Sequence, residues 1–101
     1  MNAAIPNPGV PVYDPRGVVT AIPRPIAPRV ERLEGLRLAV LDNTKWNANR
    51  LLRKATEKLV AEHRFGAVSY HRKESFSRVA APDLLDTIAG ASDIVLTAIG
   101  D

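Results

Sequence analysis

Prolines crowd the start of this chain and limit where regular structure can form. Seven of the eight prolines lie between Pro6 and Pro28. Because proline lacks a backbone donor and has a fixed φ, residues 1–33 are predicted to form neither a helix nor a central strand. We expect an extended, proline-rich arm at 1–33 and a folded unit at 34–101. A core of about 68 residues is marginal by itself, which favours a homo-oligomer or a second chain as partner.

The arm carries more apolar side chains than a solvated tail needs. They are Ile5, Val10, Val12, Tyr13, Val18, Val19, Ile22, Ile26 and Val30. Side chains of this kind gain free energy when they are buried. We therefore expect the arm to lie along its own core or along a neighbouring subunit, and a disordered linker is the competing interpretation.

An apolar run predicts the central strand. Residues 36–41, LRLAVL, are apolar except for Arg37. Continuous apolarity is typical of a strand in a parallel sheet that is covered on both faces. Two further strands are predicted: 67–72 is more polar and alternates, which indicates an outer position, and 94–99 is apolar apart from Thr97.

Two helices are predicted between these strands. The first runs to about His63, and its apolar stripe is Ala48, Leu51, Leu52, Ala55, Leu59 and Val60. Pro82 is expected in the first turn of the second helix, and Gly90 in a left-handed cap at its end. Asp83 and Asp86 suit the positive end of that helix dipole. Its buried stripe is expected to be Leu84, Leu85 and Ile88.

The order arm, β, α, β, α, β predicts an α/β fold. We expect a three-layer half-domain, a βαβαβ half of an open α/β domain, with a short parallel sheet in the order 2-1-3 flanked by helices. In that order the first connection leads one way along the sheet and the second connection leads the other way, with right-handed crossovers. In open sheets of this kind, a ligand crevice forms where two connections diverge, here at the carboxyl ends of strands one and three.

Two polar clusters follow those strand ends. The first is Asp42, Asn43, Thr44, Lys45 and Asn47, and the second is Gly100 and Asp101. Polar groups at a helix start attract anions, so we interpret these residues as framing a pocket for a small anionic substrate. Simple capping of the helix by Asn43, Thr44 or Asn47 is the alternative. Trp46 is expected to pack as a lid over the helix start. A tryptophan in the wall of a pocket is an alternative that the sequence does not distinguish from such a lid.

Other classes of protein fit the sequence poorly. No apolar run approaches 18 residues and the start lacks a secretory signal, so we predict a cytoplasmic protein with no membrane contact. The chain has no cysteine, and His63 and His71 have no evident third ligand, so neither a metal nor a cofactor is predicted. The basic residues of the first helix alternate with glutamates, which is typical of a solvated face and not of a nucleic-acid interface. They are Arg50, Arg53, Lys54 and Lys58.

Two segments, LAVLDNTKWNANRLL and DIVLTAIGD, together resemble the N-terminal half of the UGSC-like (seleno)protein domain. The proline-rich start with Tyr13-Asp14-Pro15 is also similar to that family. In the family, the segment that matches residues 97–101 continues into a selenocysteine or cysteine followed by Gly-Ser-Cys. The resemblance implies a redox enzyme with a low-pKa selenolate or thiolate at the end of strand three and a resolving cysteine three residues on. Lys45 would face it across the crevice.

No selenocysteine or cysteine occurs among these 101 residues, so no catalytic residue is assigned within the chain and we expect it to be inactive alone. Three explanations are open: a UGA codon read as a stop, which would make this a truncated selenoprotein; a separately encoded second chain; or cleavage after Asp101. The alternative function is a non-catalytic subunit for assembly or for binding a small anion.

Overall fold

A computed structural model describes residues 9–100 of the chain, so Ile5 of the arm and Asp101 of the predicted site lie outside the described residues. Its elements are β1 (Arg37–Asp42), α1 (Ala48–Glu62), β2 (Ala67–Arg72), α2 (Pro82–Ala91) and β3 (Ile94–Ala98). This alternation confirms the predicted α/β fold.

The three strands form one parallel sheet in the order β2-β1-β3, as predicted. Val40 of β1 is in register with Tyr70 of β2 and Leu96 of β3. The crossover from β1 to β2 and the crossover from β2 to β3 run in opposite directions along the sheet. Right-handed crossovers therefore place α1 and α2 on opposite faces.

The core is centred on β1, whose Leu38, Ala39 and Val40 are almost completely buried. Leu38 and Val40 point to the α1 face and pack with Leu52 of α1. Partly buried residues close this cluster: Phe65, Ile94, Leu96 and Ala98. Burial on both faces of β1 explains why its sequence is continuously apolar instead of alternating.

The buried row of α1 is narrower than the apolar stripe in its sequence. Ala48, Leu52 and Thr56 are its buried residues, whereas Leu51 and Val60 are about half exposed. Leu51 and Val60 belong to the predicted apolar stripe but lie outside the core. The physical reason is the position of the helix on the sheet. Because α1 packs on β1 and β3, only one row of its side chains contacts the sheet.

The second helix begins as predicted and ends differently. Pro82 occupies its first turn, where its missing N–H costs no hydrogen bond. Gly90 lies inside the helix, not in a left-handed cap, and the chain leaves the helix at Ser92 in an extended conformation. Ser92 Oγ donates to the Ile88 carbonyl at 2.5 Å and occupies one of the last acceptors. Of the predicted stripe Ile88 is buried, Leu84 half-buried and Leu85 exposed.

A close approach of two glycines joins the residues before β1 to the connection between α1 and β2. Gly35 has φ +80°, a backbone conformation that residues with a side chain rarely adopt. Its N–H donates to the Arg64 carbonyl at 2.6 Å. Gly66 N–H donates to the Leu36 carbonyl at 2.8 Å. A Cβ atom at Gly66 would lie 2.6 Å from the Gly35 oxygen. Glycine at residue 66 is thus required by space, and at residue 35 by backbone conformation.

The amino ends of β1 and β3 are tied by an ion pair. The Arg37 Nη2 atom lies 3.1 Å from Asp93 Oδ1, and the Arg37 backbone N–H donates to Asp93 Oδ2 at 2.8 Å. The Asp93 N–H in turn donates to the Arg37 carbonyl at 2.8 Å. These contacts lower the pKa of the Asp93 carboxyl, chiefly through the side-chain hydrogen bond from Arg37.

The arm does not lie on its own core. Every residue from 9 to 32 is exposed, and the segment contains no helix or strand. Its described apolar side chains before Val30, including Val18 (96% exposed) and Ile22 (80% exposed), are almost fully exposed, and Val30 is about half exposed. The expectation that the arm packs against its own core is therefore wrong for residues 9–32, and packing on a neighbouring subunit stays a prediction.

Candidate functional site

The loop after β1 is shaped by two side chains that fold back on the backbone. Asp42, the last residue of β1, is 7% exposed, and its Oδ1 accepts the Thr44 N–H at 2.7 Å. Asn43 Oδ1 accepts the Lys45 N–H at 3.2 Å. Asp and Asn favour turns by this kind of bond to the backbone two residues on. The result is a compact turn at the carboxyl edge of the sheet.

Asn43 also joins this turn to the end of β3. Its backbone N–H donates to the Ala98 carbonyl at 3.1 Å, and its side-chain Nδ2 donates to the Ile99 carbonyl at 2.6 Å. Gly100 follows directly. The structure therefore brings the first predicted cluster, at its Asn43 end, beside the backbone that leads to Gly100 and on to Asp101.

Two residues of the turn before α1 have a left-handed backbone conformation. Thr44 has φ 66° and Asn47 has φ 65°. Asn tolerates this region, but a β-branched residue such as Thr seldom adopts it. The Thr44 hydroxyl donates to the Asn43 carbonyl at 2.6 Å.

The capping interpretation is wrong for all three candidates. Asn47 occupies the position before the helix, yet its side chain forms no capping hydrogen bond. The physical reason is that the Asn43 amide is engaged with Lys45 N–H and the Ile99 carbonyl, and the Thr44 hydroxyl with the Asn43 carbonyl. The left-handed backbone at Asn47 also departs from the extended conformation usual for a capping residue.

Lys45 and Trp46 extend from the turn in ways that the sequence did not reveal. The Lys45 Nζ atom lies 5.8 Å from the centre of the Phe76 ring, a cation–π contact with the connection between β2 and α2. Trp46 is 89% exposed. It is therefore not a packing lid over the helix start, and that prediction is wrong.

A cleft of about 130 Å³ opens between α1 and β2, on the other side of β1 from the β3 loop. It exists because α1 leans towards β3 and leaves the β2 side of the sheet uncovered. Its lining residues are Val40, Asp42, Asn49, Leu52, Arg53, Tyr70, His71 and Arg72. Of these, only Asp42 was among the predicted site residues. Sequence reasoning missed Arg72. It is the last residue of the predicted strand 67–72, and its position beside Asp42 at the carboxyl edge of the sheet could have indicated a role in the site.

Arg53 is held in position at the wall of this cleft. Its Nε donates to Asn49 Oδ1 at 2.9 Å, one helical turn earlier. Its guanidinium carbon lies 4.7 Å from the centre of the Tyr70 ring. Arg53 is exposed, as a solvated face predicts, but the contacts on two sides of its guanidinium distinguish it from a freely rotating surface charge.

The two histidines have local partners. His63 Nδ1 lies 3.4 Å from Glu34 Oε1, and the His63 ring meets Phe65 edge-on with 6.4 Å between ring centres. His71 Nε2 lies 2.9 Å from the Ser69 hydroxyl. Within residues 9–100 there is no group of three or more His, Cys, Asp or Glu side chains arranged to hold a metal ion. In the same range, no helix is long and apolar enough to cross a membrane.

Comparison with known proteins gives one match. No curated protein and no solved structure matches the chain. The model of the UGSC family matches residues 11–101, which include most of the arm, the whole sheet and both predicted site clusters. The chain therefore belongs to the UGSC family.

Proposed function

We propose that this chain forms one part of a thiol or selenol redox enzyme and frames its active site at the carboxyl ends of β1 and β3. The framing residues are Asp42, Asn43, Thr44, Lys45, Asn47, Gly100 and Asp101. The observation that carries the proposal is the pair of hydrogen bonds from Asn43 to the carbonyls of Ala98 and Ile99. Membership of the UGSC family supports it.

The proposed site assigns separate tasks to these residues. Asn43 holds the backbone that leads to Gly100, so the residue after Asp101 would start from a fixed strand end. Lys45 contributes positive charge to the same turn, and a nearby cation favours the deprotonated form of a thiol or selenol. The reactive group would supply a nucleophile for redox exchange, and it would come from outside these 101 residues, which contain no cysteine. A cytoplasmic setting, in which such groups stay reduced, is part of the proposal.

The first test is the nucleotide sequence after codon 101. An in-frame TGA followed by codons for Gly-Ser-Cys is the expected result. Any other stop codon, with no such reading frame behind it, would overturn the proposal in its selenoprotein form. A separately encoded chain that starts with a cysteine motif and co-purifies with this one would move the reactive group to that partner.

A second test uses the longer protein with cysteine in place of selenocysteine. The rate of alkylation by iodoacetamide, followed against pH, reports the pKa of the reactive thiol. Lys45→Met is expected to raise that pKa, while Lys54→Met on the exposed side of α1 leaves it unchanged. Equal profiles for the Lys45→Met variant and the unsubstituted protein would remove Lys45 from the proposed site.

A second candidate function is assembly, favoured by the exposure of the arm. Val18, Val19 and Ile22 lie in the proline-free stretch between Pro15 and Pro23, and all three are at least 80% exposed. Stretches rich in β-branched residues pair readily with an open strand edge, and β3 is an edge strand of this sheet. We propose that this stretch docks on a second copy of the chain.

Sedimentation velocity over a range of concentrations tests assembly. The unsubstituted chain is expected to sediment as a dimer or larger species, and the double substitution Val18→Asp with Val19→Asp to shift it to the monomer. Val79→Asp is the matched control because Val79 is equally exposed, at 92%, but lies outside the arm. A chain that is monomeric at every concentration would contradict this candidate.

A further inference from the structure

The cleft between α1 and β2, at the carboxyl edge of the sheet, combines an apolar base with charged walls. Val40 and Leu52, both buried, form the base. The volume of about 130 Å³ is close to that of cavities which hold a six-carbon ring. It is therefore large enough for a ligand of about six heavy atoms. The cleft lies on the opposite side of β1 from the Asn43–Ile99 contact.

Asp42 places a nearly buried carboxylate in this cleft. Its Oδ1 accepts the Thr44 N–H, and within residues 9–100 the carboxylate forms no ion pair. The other oxygen, Oδ2, accepts no hydrogen bond from the described residues. A ligand that donates a hydrogen bond from a hydroxyl or an ammonium group would find an acceptor there.

Two guanidinium groups line the same cleft. Arg53 is oriented by Asn49 and by the Tyr70 ring, and in the described part of the chain its terminal nitrogens donate to no protein acceptor. Arg72 is the last residue of β2 and is paired in register with Asp42, and its guanidinium has no protein partner among residues 9–100. A guanidinium binds a carboxylate through two parallel hydrogen bonds. Both arginines thus offer unused donors in a cleft that also contains the Asp42 carboxylate.

We propose that this cleft binds a small carboxylate that carries a hydroxyl or ammonium group on the neighbouring carbon. Arg53 and Arg72 bind the ligand carboxylate, Asp42 accepts from the hydroxyl or ammonium group, and the remaining carbons lie on Val40 and Leu52. The site goes beyond the proposed redox function and does not depend on it, because every residue involved belongs to the 101-residue chain.

Isothermal titration calorimetry of the chain as it stands tests the proposal. Glycolate, L-lactate and glycine are the probes, acetate has the same carboxylate without the donor, and inorganic phosphate is an anion of different shape. At least one of the probes with a donor is expected to bind at least about tenfold more tightly than acetate, since a hydrogen bond to a charged group strengthens binding by this much or more. No binding by any probe at millimolar concentration overturns the proposal. Phosphate binding as tight as the best probe also overturns it.

Substitutions in the cleft assign the binding to these side chains. Arg53→Met and Arg72→Met are each expected to weaken binding by about tenfold or more, because a charged hydrogen-bond donor is lost. Arg50→Met is the matched control: Arg50 is an exposed arginine of α1 that does not line the cleft. Equal losses in all three variants would show non-specific attraction and overturn the proposal. Arg53→Lys, which keeps the charge, serves if Arg53→Met lowers thermal stability.

Asp42→Asn separates the two halves of the recognition. The amide oxygen can still accept the Thr44 N–H, but the charge is lost. Glycine, whose ammonium depends on the Asp42 charge, should lose more affinity than glycolate. Unchanged affinity for both ligands would exclude Asp42 from the site and overturn the assignment of the donor group.

Discussion

Asn43 and Ile99 are joined by a hydrogen bond of 2.6 Å from the Asn43 side-chain amide to the Ile99 carbonyl. The bond spans 56 residues of sequence and runs alongside the backbone bond from Asn43 to Ala98. Together the two bonds hold the turn after β1 against the residues at the end of β3, at the carboxyl edge of the sheet. The proposed active site depends on this edge, whereas the proposed carboxylate cleft lies on the other side of β1.

Replacing Asn43 with aspartate should destabilise the chain. The aspartate can still accept the Lys45 N–H but has no donor for the Ile99 carbonyl, and two oxygens then face each other. A partly buried acceptor that loses its partner costs about 1–3 kcal/mol of unfolding free energy, measured by urea denaturation. Asn49→Asp is the control, because Asn49 is exposed and uses only its acceptor oxygen. A loss no larger than that of the control would contradict the importance of the Asn43–Ile99 bond.

Thr44→Gly should stabilise the chain. Thr44 has φ 66°, and a left-handed conformation costs a residue with a Cβ atom about 1–2 kcal/mol, which glycine avoids. Part of the gain is offset by the greater freedom of glycine in the unfolded chain, so we expect a net gain of about 0.5–1 kcal/mol in urea denaturation. Thr44→Ala, which loses the hydroxyl but keeps Cβ, is the comparison. A glycine variant less stable than the alanine variant would show that the backbone is not strained here.

Thr56→Val should also raise stability. Thr56 is 2% exposed and its hydroxyl oxygen has no hydrogen-bond partner among the described residues. Valine has nearly the same shape without the buried polar atom, so a gain of about 1 kcal/mol is expected in thermal or urea denaturation. Thr87→Val is the control, because the Thr87 hydroxyl is exposed and donates to the Asp83 carbonyl. A Thr56→Val variant that is less stable than the original would mean that water or another group satisfies this hydroxyl.

Alanine should have opposite effects at two glycines. At Gly66 the new Cβ would meet the Gly35 oxygen at 2.6 Å and force the residues before β1 away from those before β2. At Gly90, inside α2, the surrounding space is open, and alanine is favoured over glycine in a helix by up to about 1 kcal/mol. Melting temperatures should therefore fall for Gly66→Ala and rise for Gly90→Ala. A Gly66→Ala variant that melts no lower than the original protein would contradict the close approach at Gly66.

The Arg37–Asp93 pair should make stability depend on pH. The pKa of Asp93 is lowered in the folded chain from its ordinary value of 3.8, so its contribution is fully present above about pH 4 and is lost as the pH falls through the lower, folded-state pKa. Asp93→Asn should thus melt below the original protein at pH 7, and the two melting temperatures should converge towards pH 2. A difference that stays constant over this range would show that the charge of Asp93 has no role.

Much of the fold was readable from the sequence. The apolar run of β1, interrupted only by Arg37, and the more polar β2 correctly predicted their central and outer positions, because a strand buried on both faces needs apolar side chains in both directions. Pro82 correctly predicted the start of α2, because proline suits the first turn of a helix, where its missing N–H costs no hydrogen bond. The proximity of Asn43 to the end of β3 followed from the strand order, since parallel strands that are neighbours end at the same edge.

What the sequence left open depends on how α1 sits on the sheet. The apolar periodicity of α1 placed Leu51 and Val60 in one stripe with Leu52, and Trp46 was expected to pack over the start of the helix. Periodicity, however, does not say which strands a helix packs against. The tertiary structure places α1 over β1 and β3. That position exposes these side chains and opens the cleft that brings Asp42 together with Arg53 and Arg72. Local sequence determined the elements and their order, and only long-range packing decided which surfaces remained free for a ligand or a partner.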